Sequence, residues 1–255
     1  MGKWRATIGW LKPGAIDRTI QDVFDMTPGD VNVSVLTTMQ ALDMMDTRAF
    51  DAAAFDSQRE GTFASVAKLA QYAHPDVFAV TGDLIQSAMG PSWNTGLRTD
   101  LEASTGRPVT TAMTAVTDAL GHLGVTRVAV ASPFRDDQNA FVRSYLETEG
   151  FHVAAIAGYD ARSVRDVKQL ASDAPLTLGK RVFESAPDSE ALYLPCPIWR
   201  VSPWIAPLED ACGVPVLTML NTVIWRSLVS IGGSSSVSGF GRLLERVEAP
   251  AAAPR

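Results

Sequence analysis

The sequence predicts an α/β fold: two pseudosymmetric, doubly wound half-domains, each carrying a four-stranded parallel sheet, with a cleft between them. Three observations lead there. Apolar runs of strand length alternate with longer segments of helical period. A stretch of the first half recurs in the second. The 255 residues, 46% of them hydrophobic and 20% charged, supply enough apolar side chains for one large core or two smaller ones.

In the first half the strand-like runs are "RATIGWL" (5–11), "VNVSVLT" (31–37), "DVFAVTG" (76–82) and "PVTT" (108–111). The clearest helix between them is "AFDSQREGTFASVAKLAQYA" (54–73), where Phe63, Val66, Ala67 and Ala70 recur at spacings of three and four. In the second half the runs are "RVAVAS" (127–132), "HVAAIA" (152–157), "ALYLP" (191–195) and "PVLT" (215–218). The stretch "NAFVRSYLETEG" (139–150) reads as a helix with a glycine stop. The expected boundaries are 1–115 for the N-terminal half-domain and 116–225 for the C-terminal one, with 226–255 a C-terminal segment and tail. In that segment "GGSSSVSG" (232–239) reads as a flexible loop and "EAPAAAPR" (248–255) as a disordered tail.

The repeat is explicit. "TGRPVTTAMTAVTDAL" (105–120) matches "CGVPVLTMLNTVIWRSL" (212–228), with Gly106 over Gly213, Pro108 over Pro215, Thr111 over Thr218 and Val116 over Val223. Each copy is a glycine-x-proline turn, a short strand, and a helix opening directly from it. By the same order of elements "DVFAVTGD" (76–83) corresponds to "EALYLPCP" (190–197). Ligands of open parallel sheets bind beyond the carboxyl ends of the strands, so the Gly82 and Cys196 loops are expected to face one cleft from opposite sides.

Composition narrows the function. A net charge of −6 and a pI near 5.1 argue against nucleic acid or an anionic membrane as partner. No basic run precedes an apolar segment at the N-terminus, and no apolar stretch is long enough to span a bilayer. Two cysteines, Cys196 and Cys212, make no disulfide framework and read as reduced thiols of a cytoplasmic protein. His74, His122 and His152 have no ligand spacing, so no metal is expected. No glycine-rich phosphate-binding loop follows a strand, so no nucleotide cofactor is expected either.

"EALYLPCPIWR" (190–200) ends an apolar strand in a thiol held between Pro195 and Pro197. Alone, such a cysteine is a small buried hydrophobe. Its place in the repeat gives it a second meaning. Over "TGRPVTTAMTAVTDALGHLGVTRVAVASPFRDDQN" (105–139), "RVFESAPDSEALYLPCP" (181–197), "GVPVLTMLNTVIWRSL" (213–228) and "GFGRLL" (239–244) the chain resembles the aspartate/glutamate racemase superfamily, in its arylmalonate decarboxylase and maleate isomerase branch. The likeness runs from about Ile8 to Leu244. Racemases and maleate isomerases of that superfamily carry a cysteine on each side of the substrate. Here Cys196 supplies one, and Gly82 stands at the other position. That is the decarboxylase pattern. It implies cofactor-independent loss of one carboxylate of a substituted malonate, with Cys196 protonating the resulting enediolate. Two-base racemisation needs two proton carriers, whereas decarboxylation makes the carbanion itself and needs one donor. The resemblance also implies a small-molecule carboxylic acid as substrate, and leaves a homo-oligomer open.

The candidate substrate-binding positions are Pro13, Gly82, Asp83, Leu84, Phe134 and Pro197. Four depart from the pattern of the resemblance. Asp83 and Leu84 stand where small hydroxyl residues are expected, Phe134 where a tyrosine is, and Pro197, which has no N–H, where a glycine is. An ionised Asp83 would repel a substrate carboxylate by roughly 4 kcal/mol at 4 Å and an effective dielectric of 20. Three readings of Asp83 therefore stand: a helix N-cap, a second acid/base group facing Cys196 in an isomerase or racemase, or a mark of a non-catalytic ligand-binding relative. The thiol itself is expected near pKa ~8.5, lowered where N–H groups at a helix start point at it. Asp136 and Asn139 read as opening a helix, Lys12 and Arg135 as cations near the cleft, and Trp10, Trp199 and Trp204 as core or cleft walls. Cys212, just before the glycine of a turn, reads as structural.

Overall fold

The computed structural model describes residues 4–14, 17–38, 45–46, 50–233, 236–245 and 247. All eight apolar runs form strands. Strands β1 (Ala6–Pro13), β2 (Val31–Thr38), β3 (Val77–Val80) and β4 (Val109–Thr111) make a parallel sheet in the order β2-β1-β3-β4. Strands β5 (Arg127–Ser132), β6 (His152–Gly158), β7 (Ala191–Leu194) and β8 (Val216–Thr218) make the second, in the order β6-β5-β7-β8. The second order is the first shifted by four strands, which is the sequence repeat in three dimensions. Every residue of β3 and β7 is buried, as expected where helices cover both faces of a parallel sheet. Both strands end earlier than their apolar runs do, and this releases Gly82 and Cys196 from the ladders.

The helices follow as α1 (Thr19–Asp25), α2 (Ala52–Ala73), α3 (Asp83–Met89), α4 (Pro91–Thr105), α5 (Ala112–His122) and α6 (Asp136–Thr148). Then come α7 (Val164–Gln169), α8 (Ala174–Ser185), α9 (Ile205–Cys212), α10 (Met219–Ser230) and α11 (Arg242–Glu245). The buried face of α2 differs from the expected stripe. Thr62, Val66 and Leu69 are inside and Ala67 is exposed. The larger Leu69 takes the inner position because Gly9 makes room: a Cβ there would lie 2.9 Å from Leu69 Cδ2 and 2.7 Å from Pro75 Cγ.

The repeated residues do the same work twice. Gly106 and Gly213 close α4 and α9 in the left-handed conformation, at φ 64° and 75°. The carbonyls of Pro108 and Pro215 accept the N–H groups of Phe78 and Leu192, at 2.9 and 3.0 Å. The hydroxyls of Thr111 and Thr218 cap α5 and α10 by accepting from the N–H groups of Thr114 and Asn221. The two capped helices then pack against each other between the sheets. Arg226 on α10 donates to Asp118 on α5 at 2.7 Å, and the rings of His122 and Trp225 lie 5.0 Å apart.

One core runs through both halves, joining Ile8, Val77 and Met113 to Val130, Leu192 and Val223. A smaller cluster, including Leu11, Phe78 and Leu97, fills the outer face of the first sheet under α2 and α4. No helix among the described residues is long and apolar enough to cross a membrane. The expected tail 248–255, and residues 234–235 of the expected loop, lie outside the described residues.

Candidate active site

The site begins where β3 and β7 stop. Beyond β3, Thr81 is pinned to β1 by two bonds to the Leu11 carbonyl, from its N–H at 3.0 Å and its hydroxyl at 2.8 Å. Gly82 follows at φ 118° and caps α3, a conformation open to glycine. At the matching place in the second half, Cys196 sits at φ 64° and opens a 3₁₀ turn, Pro197–Trp199. A non-glycine residue held there costs about 1–3 kcal/mol, and such strain persists only where surrounding contacts over-determine it. One of those contacts is the Trp199 indole N–H, which donates to the Pro195 carbonyl at 2.8 Å.

Between these strand ends lies a cavity with about 620 Å³ of empty space, its open mouth included. Pro13, Gly82, Asp83, Leu84, Phe134, Cys196 and Pro197 all line it, so the structure brings the candidate thiol and the six candidate substrate-binding positions to one place. Lys12 and Trp10 line it too, whereas Arg135, Asp136 and Asn139 do not. Arg135 instead grips Asp137 and the Met45 carbonyl, and Asn139 accepts from the Ser132 hydroxyl at 2.7 Å. Trp199 and Trp204 line a neighbouring cavity. Sequence reasoning missed Thr19, Ile20 and Val23 from α1, and Met219 and Leu220 from the start of α10. Phe134 is held against the wall by its loop. Its carbonyl would lie 1.9 Å from a Cβ on Gly158, so only glycine fits there.

Asp83 corrects one expectation. Gly82, not Asp83, is the N-cap, and Asp83 is the first helical residue of α3. Its carboxyl turns across the cleft, 5% exposed. One oxygen accepts the Leu84 N–H at 3.0 Å; the other accepts the Cys196 N–H at 2.7 Å and faces the Tyr193 hydroxyl at 3.4 Å. Burial pushes the Asp83 carboxyl above the ordinary carboxylate value, against the lowering pull of those donors. Tyr193 is a further residue that sequence reasoning missed. The available signal was a lone phenol in the apolar strand "ALYLP", whose hydroxyl needs a buried partner.

The expected lowering of the thiol is also corrected. Burial first, and then the Asp83 charge, push Cys196 well above the ordinary thiol value, and the Ile198 N–H offsets little of it. The group is a thiol rather than a thiolate, a form that donates a proton. Among the described residues Lys12 is the one cation lining the cavity, 3.6 Å from Asp17. Burial alone would raise Asp17, but hydrogen bonds from Thr19 together with Lys12 and Lys168 hold it below the usual carboxyl value. Among the described residues no three His, Cys, Asp or Glu side chains are grouped to hold a metal ion. Cys212 is half-buried at the end of α9, away from the cavity.

Two like half-domains with a thiol at a strand end facing one cleft define the aspartate/glutamate racemase-like superfamily. Within it, the sequence matches the arylmalonate decarboxylase family over residues 28–244, and the chain belongs to that family. It is 31% identical over 175 residues to the arylmalonate decarboxylase of Bordetella bronchiseptica, covering 66% of this chain and 71% of that one. The fold is shared with a glycine-to-cysteine variant of arylmalonate decarboxylase in a sulfate ion associated form. That structure has a TM-score of 0.83 at 24% identity, over 94% of this chain and 100% of that one. It is shared as well with a maleate cis–trans isomerase of Nocardia farcinica bearing a covalently bound succinylcysteine intermediate. There the TM-score is 0.80 at 20% identity, over 94% and 98% of the two chains. The chain is thus a member of an enzyme family, that of the arylmalonate decarboxylases.

Proposed function

We propose that the protein is a cofactor-independent decarboxylase acting on a carboxylic acid that carries a second carbonyl group on the same carbon, with Cys196 as the proton donor. The observation that carries this reading is a single buried thiol at the end of β7, facing a cavity whose opposite strand end is Gly82. The bond from the α-carbon to one carboxylate breaks and CO₂ leaves. Its electron pair stays behind as an enolate, the Cys196 S–H protonates the α-carbon, and solvent returns a proton to sulfur. The apolar wall of Leu84, Ile85, Phe134, Ile198, Met219 and Leu220 favours the step, since a concentrated carboxylate charge is dispersed as CO₂ departs. Cys196→Ala is expected to lower turnover of a substituted malonic acid derivative by about 10²–10⁴-fold, with an unchanged circular dichroism spectrum. In deuterated water the wild-type product should gain one α-deuterium. Near-full turnover in the Ala variant would make the thiol structural.

A second reading is single-thiol isomerisation or racemisation with Asp83 as the partner base. It is favoured by the Asp83 carboxyl lying in the same cavity, bonded to the Cys196 N–H. Deuterium entering unreacted substrate without CO₂ release would select it.

A further inference from the structure

The turn that carries Cys196 is strained at both ends. Cys196 enters Pro197–Trp199 at φ 64° and Arg200 leaves it at φ 50°, both in the left-handed region that favours glycine. Strain of this kind persists where a loop must aim a side chain. Here each end aims one into a different cavity. Cys196 lines the cavity described above, and Arg200 lines the neighbouring one, which holds about 1240 Å³ of empty space, open solvent included. Thr19 and Ile198 line both and form the boundary between them.

The neighbouring cavity is cationic. Arg18, Lys168 from α7 and Arg200 face the single carboxylate of Asp17, in a protein whose net charge is −6. Asp17 is already engaged: it accepts from the Thr19 hydroxyl at 2.6 Å and lies 3.6 Å from Lys12 and 3.9 Å from Lys168. Among the described residues the Arg18 and Arg200 side chains make no ion pair or hydrogen bond. The acid whose charge reaches both is Asp22, on α1 and outside the cavity wall. Beside the cations stand the indoles of Trp199 and Trp204, whose N–H groups already donate to the Pro195 and Ser172 carbonyls at 2.8 and 2.7 Å. They offer the cavity apolar faces.

Resting on the reading that Cys196 protonates a carbanion in the first cavity, we propose that the neighbouring cavity is a subsite for a further anionic group at the far end of the substrate. The carbon that loses CO₂ lies at Cys196. Its substituent passes Thr19 and Ile198 and ends in an oxyanion, a carboxylate or a phosphate, held by Arg18, Lys168 and Arg200.

Such a subsite answers what the first cavity lacks. Leu84 and Phe134 bring no hydroxyl to a substrate carboxylate there, Pro197 has no N–H, and the Cys196 N–H is taken by Asp83 at 2.7 Å. A small malonate finds little to hold it in that wall. Binding energy gained at a remote, unreacting group can offset the cost of placing a carboxylate in an apolar cavity and so serve the chemical step. Guanidinium groups suit that remote role, since each can hold an oxyanion by two parallel N–H bonds.

The probes are 2-alkylmalonates from propyl to octyl, each compared with its ω-carboxy and ω-phosphono counterpart. Calorimetric titration of the Cys196→Ala protein reads binding apart from turnover. At the chain length that spans the boundary, a charged end should tighten Kd by about 10–100-fold over the plain alkyl compound. Arg200→Gln and, on a different element, the exposed Lys168→Gln should each reduce that ratio about tenfold. In the wild-type protein the same preference should appear in kcat/KM for CO₂ release. A ratio near one at every length overturns the subsite and leaves the role of Cys196 standing. So does a preference independent of length, or an equal loss for charged and plain compounds in the Gln variants, because the cations then only draw anions to the mouth. Length-dependent tight binding with no CO₂ from any compound keeps the anion subsite and overturns the decarboxylase reading.

Discussion

Asp83 carries a consequence for stability. Its carboxyl is raised in the folded protein above the ordinary value of 3.8, chiefly by burial. Between those two values the folded chain holds a proton that the unfolded chain has released. The stability linked to this group is therefore fully present below the unfolded value and is lost as pH rises through the folded one. An amide has no such dependence. The melting temperature of Asp83→Asn relative to wild type should climb as pH rises through that window, in thermal melts from about pH 4 to about pH 8. A difference that stays flat would show that Asp83 is not held as a buried acid. The sequence placed Cys196 and Gly82 in one cleft because each ends the third strand of its half. The direction of Asp83 was not legible. An aspartate after a strand end has the same local signature whether it caps the next helix or crosses to the other half. Only the close approach of the Cys196 loop, whose N–H meets the carboxylate at 2.7 Å, decides it. Lys12 and Arg135 were equal candidates by charge, and the Met45 carbonyl and Asp137 draw Arg135 out of the site.

At the scale of elements, two polar contacts tie helices of one half to helices of the other, and they do so with different strength. Asn94 on α4 is fully buried and donates to the Tyr145 hydroxyl of α6 at 2.9 Å. Burial there pushes the Tyr145 phenol up to about 12, so it stays a neutral hydroxyl. The Arg226–Asp118 pair between α10 and α5 is at 2.7 Å but remains 29% and 40% exposed. Leaving a buried hydroxyl without its partner costs about 1–3 kcal/mol, while a half-exposed ion pair contributes up to about 1 kcal/mol. Urea denaturation should accordingly show Asn94→Ala to be more destabilising than Arg226→Ala, by a lower midpoint at unchanged slope. The opposite order would place the joint between the halves at α5 and α10. The longer strands and helices were legible because period and length agree in them. The start of α6 has no apolar period in "RDDQ" and was legible only through Asp136, read as opening a helix and found as its first residue, with Asp137 beside it in the first turn and Gln138 accepting the Arg135 N–H. Short helices such as α1 and α7 carry too few turns to show a period.

The whole molecule is a duplicated fold whose copies have lost the means to stand alone. Helix α5 follows the first sheet in sequence, yet Met113, Ala115 and Val116 share one core with Val223 and Ile224 of α10 and with β5 and β7. Separating the halves would bare that shared surface and break the Asp83–Cys196 bond. At about 25 cal/mol per Å² of apolar area, baring a face of several hundred Å² costs on the order of 10 kcal/mol, as much as the whole net stability of a small domain. Chains of this length often unfold in several steps, so the shared core makes a specific claim. Scanning calorimetry should record one transition, with calorimetric and van't Hoff enthalpies nearly equal. A ligand that fills the cavity touches both strand ends and should move the entire peak. The shift should correspond to about 2.7 kcal/mol at a concentration 100 times its Kd. Two resolved peaks, or a ligand that moves one shoulder and leaves the other in place, would mean that the half-domains fold as separate units and that the cleft is a contact between them rather than a product of their common core.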